Sequence, residues 1–242
     1  MLVLPFARHI YRCRGWWKML ARGRTAGSGL GMMTFFLSGC GILGSSAGAA
    51  GEEVQKNKVS GGNKMKIVVI NSSPHAKDES TSIYLSDRFT AGAVSAGHHV
   101  FTFDAANEET HPCRGCDICH MNGPCVFSDA IENRLMPELL SADMIVLVTP
   151  LYYYGMSAQL KTVIDRFYSR TGMLHGKRSM LIATAYNSAD WTMTALSEHY
   201  ATLVRYMDWT DVGQVLGIGC GSRSLVEKSS FGEQAYRIGA SL

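Results

Sequence analysis

Met65-Lys66-Ile67-Val68-Val69-Ile70-Asn71-Ser72-Ser73-Pro74-His75-Ala76-Lys77-Asp78-Glu79-Ser80-Thr81-Ser82 is the stretch whose reading decides the fold. Ile67–Ile70 is a short apolar, β-branched run without polar alternation. A strand covered on both faces reads this way. The run breaks into a hydroxyl-rich loop that ends at Ser80, Thr81 and Ser82. An amphipathic segment follows, carrying Ile83, Leu85, Phe89 and Val94. A strand, a loop of small hydroxyl residues and a helix N-terminus form an anion site. Unpaired N–H groups and the helix dipole face the ligand, and hydroxyls add donors without charge.

Working outward, the helix is expected over about Ser80 to Ala96, stopped by Gly97. His99–Phe103 alternates and predicts strand two. Residues 104–129 read as loop, and 130–140 as a short helix disturbed by Pro137. Met144–Val148 is an unbroken apolar run and predicts strand three. Thr149–Gly155 is a loop, and Ser157 is placed to cap a helix ending near Tyr168. Ser179–Ala185 and Val212–Ile218 predict two further strands. Helices are expected over about 189–207 and 225–239. Five strands alternating with helices imply an α/β fold: a doubly wound parallel sheet with helices on both faces. In such sheets ligands sit beyond the carboxyl ends of the strands. The loops after strands one and three and after the strand at Ser179 are therefore the site candidates.

The chain has 242 residues, of which 46% are hydrophobic and 18% charged. Its net charge of +3 is uneven. Residues 1–64 hold nine basic against two acidic side chains, a balance of +7, which leaves −4 on the remainder. A mildly acidic body argues against nucleic acid as a partner. Residues 1–64 read as an N-terminal extension outside the folded domain of 65–242. Gly29–Leu37 is too short and glycine-rich to span a bilayer. Leu37-Ser38-Gly39-Cys40 resembles a lipoprotein cleavage site, followed by a Gly/Ala/Ser tether. On that reading Cys40 is lipidated and holds the domain at a membrane. On the other reading Met65 is the true start and the domain is cytoplasmic, with 60–62 translated from a ribosome-binding stretch.

Four of seven cysteines, Cys113, Cys116, Cys119 and Cys125, crowd into an insertion spanning 108–129. Spacing this close suits ligands around one inorganic centre better than a disulfide framework. His111 and His120 flank them and read as solvated rather than ligating. Asp165 and Arg166 read as structural ion-pair partners, Trp191 and Trp209 as packing residues, and Cys220 as a small buried residue.

Two loops then carry a resemblance. Asn71-Ser72-Ser73-Pro74 with Ser80-Thr81-Ser82 is similar to the Gly-Ser-Pro-Arg … Asn-Thr phosphate loop of the flavodoxin-like NAD(P)H-dependent FMN reductases. Thr149-Pro150-Leu151-Tyr152-Tyr153-Tyr154-Gly155, with Leu160-Lys161 and Ile164-Asp165-Arg166, is similar to that family's Ser-Pro-Val-Tyr-Trp-Gly … Leu-Lys … Asp-Arg block. The cysteine run resembles that of the iron–sulfur flavoprotein subgroup. The resemblance implies a flavodoxin-like fold with FMN. Its phosphate would be held by Ser73, Ser80, Thr81 and Ser82. Its ring would lie against Pro150, Leu151, Tyr152, Tyr153, Tyr154 and Gly155. Here Ser72 replaces the family's glycine, His75 its arginine, and Asp78 and Glu79 the residues before the hydroxyls.

The subgroup's [4Fe–4S] cluster would fall to Cys113, Cys116, Cys119 and Cys125. Zinc takes the same four thiolates, and not every member of the broader family with this pattern need hold a metal, so the spacing leaves cluster, zinc or nothing open. The implied activity is oxidoreduction. NAD(P)H docks transiently as donor, or a ferredoxin-like protein gives the electrons, and a quinone, free flavin or other small molecule takes them. No catalytic side chain is required, and a homo-oligomer is implied. A non-enzymatic flavin/iron–sulfur electron carrier is the rival reading, and a flavin-free module with structural zinc a third.

Overall fold

The computed structural model describes residues 63–242. The readings of the N-terminal extension, including lipidation at Cys40 and the tether, lie outside the described residues.

Five parallel strands form one sheet: β1 (Lys66–Asn71), β2 (His99–Asp104), β3 (Met144–Pro150), β4 (Arg178–Thr184) and β5 (Thr210–Gly217), in the order β2-β1-β3-β4-β5. The flavodoxin-like architecture expected from the sequence is therefore present. The apolar runs are continuous because alternate residues serve different cores. Ile67, Val69, Val146, Val148 and Ile182 face one core, and Val68, Ile70, Ile145, Leu147 and Leu181 the other. All ten are fully buried. Each such side chain contributes roughly 1.5–3 kcal/mol on leaving water.

The first core is closed by α1 (Thr81–Ser95), α5 (Arg223–Lys228) and α6 (Phe231–Ala240), the second by α2 (Met136–Ser141), α3 (Ala158–Arg166) and α4 (Thr194–Tyr206). α1 and α6 cross at two glycines. A Cβ on Gly92 would stand 2.1 Å from the Tyr236 carbonyl oxygen, and one on Gly239 would stand 2.3 Å from that of Phe89. Only glycine permits that approach.

Four helix boundaries differ from the pattern reading, each for a local reason. Residues 131–135 form a π turn before α2 begins, and Pro137 sits in the first turn of α2, where its missing N–H costs nothing. α3 gives way after Arg166 to a 3₁₀ segment, Phe167–Leu174. α4 starts only at Thr194, because Asn187 accepts a bond from the Ala189 N–H and holds a turn. The last helix divides at Ser229, whose hydroxyl bonds Val226 O and accepts from Phe231 N–H.

β1 lies between β2 and β3, so the connection from β1 runs one way across the sheet to β2 and the next returns past β1 to β3. That switch point opens a crevice beyond the carboxyl ends of β1 and β3, where doubly wound sheets bind ligands.

Candidate functional site

The loop from β1 to α1 is built on hydroxyl–hydroxyl bonds. Ser80 caps α1 by accepting from Ile83 N–H at 3.1 Å, and its own hydroxyl donates to Ser73 at 2.7 Å. Thr81 donates to Thr184 at 2.9 Å, and Ser82 shares a 2.7 Å bond with the same hydroxyl. Ser73, Ser80 and Ser82 are buried, whereas Thr81 is half-buried. Ser72, at the family's glycine position, is turned away from this cradle. Its hydroxyl donates to Val148 O at 2.9 Å and accepts from Ser157 at 2.8 Å. Ser157 in turn caps α3, so the hydroxyl that departs from the family pattern ties the first loop to the third strand.

The tyrosine loop folds as a tight two-residue turn. Tyr152 and Gly155 exchange N–H···O bonds of 3.1 and 3.0 Å, with Tyr153 and Tyr154 between them at φ of 46° and 63°. Both central residues at positive φ define a type I′ turn, a conformation that bulky residues adopt at a cost. Leu151 N–H is bonded to Thr184 O at 2.8 Å. Of the N–H groups from 151 to 155, those of Tyr153 and Tyr154 have no backbone partner among the described residues. Tyr153 is fully exposed.

One cleft of about 520 Å³ collects Ser73, Thr81 and Ser82 from the first loop and Pro150, Leu151 and Tyr152 from the second. Ser80 stands behind the lining as the cap. Tyr153 and Tyr154 line an adjoining groove with Tyr186, and Gly155 only closes the turn. Trp191, read from sequence as packing, is half exposed with its ring 4.9 Å from that of Tyr154. It belongs to the aromatic rim of this groove. Trp209 is buried and donates to Leu174 O, as a packing residue should. Cys220 lines the cleft with a thiol that burial pushes up, against a weaker pull from Ser229.

Asp78 and Glu79 also line the cleft, and both are exposed. Two functional residues escaped the pattern reading. Thr184, the last residue of β4, links two hydroxyls of the first loop. Arg223 is the single Lys or Arg among the residues lining the cleft. The two carboxylates were its only signal in the sequence, since an anion-binding loop that carries them needs a cation from elsewhere. The donor set of hydroxyls, a helix N-terminus and one guanidinium at one end, with apolar and aromatic surface at the other, fits a flavin mononucleotide.

The cysteine loop is organised differently. Arg166, fully buried, donates to both Asp129 oxygens at 2.7 and 3.2 Å and to His111 O at 2.9 Å. His111 N–H bonds Asp129 at 2.9 Å, and the His111 ring stacks on Phe127 at 4.8 Å. Burial pushes the Asp129 carboxyl up, but bonds from Arg166, His111 and Glu132 outweigh it and hold the group below the usual range. Farther along, Tyr168 donates to Asp117 at 2.7 Å and Ser169 O accepts from Gly123 N–H at 3.1 Å. Arg170 bonds Gly123 O and pairs with Glu132, whose other oxygen accepts from Cys125 N–H at 3.2 Å.

All four cysteines are free thiols lining one small cavity, and Gly115 N–H approaches Cys113 Sγ at 3.5 Å. Among the described residues no group of three or more His, Cys, Asp or Glu side chains is arranged to hold a metal ion. The loop thus supplies the donor set for a four-thiolate centre without closing the thiols to ligand geometry. No described helix is long and apolar enough to cross a membrane.

Residues 65–221 match the family model described as NADPH-dependent FMN reductase. The chain is 32% identical over 102 residues to an iron–sulfur flavoprotein of Methanocaldococcus jannaschii, covering 42% of this chain and 51% of that protein. It is 32% identical over 74 residues to one of Methanosarcina thermophila, covering 31% and 38%. The chain spans about half the length of the curated relatives it matches, or less. Among solved structures it is similar to the NAD(P)H:quinone oxidoreductase of Methanothermobacter marburgensis, with a TM-score of 0.58, 20% identity, and coverage of 73% of this chain and 96% of that one. An azoreductase of Bacillus anthracis gives a TM-score of 0.58 at 17% identity, covering 74% and 100%. At these identities the solved structures speak for the fold.

Proposed function

This chain belongs to the NADPH-dependent FMN reductase family, and we propose that it is an FMN-dependent NAD(P)H oxidoreductase passing electrons to a quinone, a free flavin or another small acceptor. The observation that carries the reading is the single cleft at the β1/β3 switch point, where the hydroxyl loop and the tyrosine loop meet. The names of the solved structures, a quinone oxidoreductase and an azoreductase, support small planar acceptors.

When bound, FMN supplies the redox chemistry, taking two electrons from a nicotinamide and releasing them singly or together. The chain binds and orients it. Thr81 and the N-terminus of α1 hold the phosphate, with Ser73, Ser80 and Ser82 fixing the loop and adding donors. Pro150, Leu151 and Tyr152 face the ring, and the N–H groups of Tyr153 and Tyr154 are free to bond its carbonyls. The exposed rings of Tyr153, Tyr154, Tyr186 and Trp191 leave an aromatic surface for the second substrate or for a neighbouring subunit in a homo-oligomer. Positioning a hydride donor over the ring needs no acid–base side chain.

A second reading is an electron carrier that holds FMN and a [4Fe–4S] cluster and exchanges electrons with a ferredoxin-like partner. It is favoured by one observation, that Cys113, Cys116, Cys119 and Cys125 line a common cavity, and by the names of the sequence relatives. Those four thiolates would hold the cluster, which would supply single-electron relay.

The deciding experiment is an absorption spectrum of protein purified without oxygen, followed by anaerobic mixing with NADH and NADPH. Flavin bands bleached by either nucleotide are the expected result. A flavin that neither nucleotide bleaches defeats the reductase and leaves the carrier. A colourless protein containing zinc defeats both. Iron and sulfide absent from flavin-bearing protein remove the cluster alone.

A further inference from the structure

The cleft carries an electrostatic imbalance that its hydroxyls do not resolve. Asp78 and Glu79 both line it, on the very loop that would face a phosphate dianion. The family's loop arginine is replaced by His75, whose imidazole lacks the guanidinium's fork of donors. Nearby Lys77 is paired with Asp87 at 3.1 Å and does not line the cleft.

Arg223 enters from the opposite side, at the start of α5. Three features fix its head. Its Nη1 donates to Lys77 O at 2.8 Å and reaches Ser80 O at 3.5 Å. Its Nε donates to Glu227 at 2.7 Å. Its guanidinium lies over the Tyr84 ring, 4.7 Å from the centroid. Nη2 has no hydrogen-bond partner among the described residues. A guanidinium held on two edges and over a ring, with its third nitrogen unengaged at the rim of an anion cleft, is preorganised rather than solvated.

Resting on the flavin reading above, we propose that Arg223 is the phosphate-recognition residue of this cleft: it selects a phosphorylated flavin over its dephosphorylated form. It replaces, from the far end of the chain, the cation missing from the first loop. Without it a dianion would meet two carboxylates and no Lys or Arg among the residues lining the cleft. With it, the charge-assisted bond from Nη2 is made by FMN and not by riboflavin, so the residue distinguishes the two ligands by the phosphate alone.

The test uses the full chain freed of flavin and titrated with FMN and with riboflavin, followed by quenching of flavin fluorescence. The unmodified protein should prefer FMN. Arg223→Gln should lose FMN affinity by roughly 10- to 100-fold, the range for a hydrogen bond to a charged group, with riboflavin affinity unchanged. Arg223→Lys, which keeps the charge, should retain most of the preference. Asp78→Asn, at an exposed position, should tighten FMN several-fold and leave riboflavin alone. FMN affinity should fall with salt in the unmodified protein and much less so in Arg223→Gln. Equal losses of FMN and riboflavin in Arg223→Gln would overturn the proposal, because they would mean that the residue only props the loop through Lys77 and Ser80. An unmodified chain that binds both flavins equally removes this proposal and leaves the flavin reading standing. One that binds neither removes both.

Discussion

The hydroxyl cleft and the cysteine loop are both built on segments that follow a strand of the same sheet, yet they are held by opposite means. The cleft rests on neutral bonds between short side chains: Ser80 to Ser73, and Thr81 and Ser82 to Thr184. The anchors stand just beyond β1, at the end of β4 and in the first turn of α1, and both strands are buried on both faces. The cysteine loop has no strand and no helix of its own between β2 and the π turn. It is held by residues 166 to 170, where α3 ends: Arg166 takes His111 and Asp129, Tyr168 takes Asp117, and Ser169 and Arg170 both take Gly123. A cleft made of hydroxyls is stiff because its scaffold is stiff. A loop made of thiols and turns must borrow rigidity, and charge supplies it.

The comparison breaks most visibly at Arg166. Arg166→Met strips the buried Asp129 of its bidentate partner and leaves its carboxylate with the His111 and Glu132 N–H groups alone. Breaking a buried pair from one side costs about 3–5 kcal/mol. Denaturant unfolding should register that loss, and amide exchange across 108–129 should accelerate while the hydroxyl cleft stays protected. Equal exchange in both regions would show that the loop is not held separately.

The same pair gives the loop an acid sensitivity. Asp129 is held below the ordinary carboxylate range, so its contribution is full above the unfolded value of about 3.9 and disappears as pH falls through the lower native value. The stability gap between the unmodified chain and Asp129→Asn should therefore be constant from pH 7 to pH 5. It should close at lower pH, where a protonated carboxyl and an amide are nearly alike. A gap that closes near neutrality would assign it to another group.

On the cleft side the effects are smaller. Thr184→Val keeps the shape and removes the hydroxyl that joins Thr81 to Ser82. Leaving the buried Ser82 unsatisfied costs about 1–3 kcal/mol, and the two loops should separate enough to weaken FMN binding more than riboflavin binding. Ser80→Ala removes the cap of α1, at about 1 kcal/mol. It should slow no step beyond flavin capture, which stopped-flow binding would check.

The two regions were also unequally legible. The strands announced themselves because β1, β3 and β4 are covered on both faces, which forbids polar alternation in Ile67–Ile70 and Met144–Val148. Ser157 was readable as a cap and Ser80 as the start of α1, because helix-start signals are local. Thr184 and Arg223 were not legible, since their partners in the first loop lie 102 to 146 positions away and nothing local marks them. Arg166 was readable as an ion-pair residue, but its partner Asp129 is 37 positions upstream, across a loop without periodicity. The resemblance set the flavin ring against Leu151, Tyr152 and Gly155. The turn that Tyr153 and Tyr154 adopt at positive φ commits the N–H groups of Tyr152 and Gly155, Thr184 O takes that of Leu151, and tyrosines do not advertise that conformation.

α3 itself offers the finest discrimination. It carries two ion pairs that differ in burial. Lys161 and Asp165 pair at i and i+4 on its exposed face, with both side chains nearly half accessible, one residue before the buried Arg166. Asp165 also lines the cysteine cavity, so mere proximity of charge would predict that Lys161→Ala disturbs the loop as Arg166→Met does. Solvation predicts otherwise. An exposed pair of this spacing contributes about 0.3–0.5 kcal/mol and is screened by salt. Asp165, once unpaired, remains hydrated and incurs no burial cost. Lys161→Ala should thus change stability by less than about 0.5 kcal/mol, with exchange across 108–129 unaltered and the small difference gone at high salt. Loop exchange rising in Lys161→Ala would mean that the field around α3, rather than the buried Arg166–Asp129 contact, holds the thiols in place.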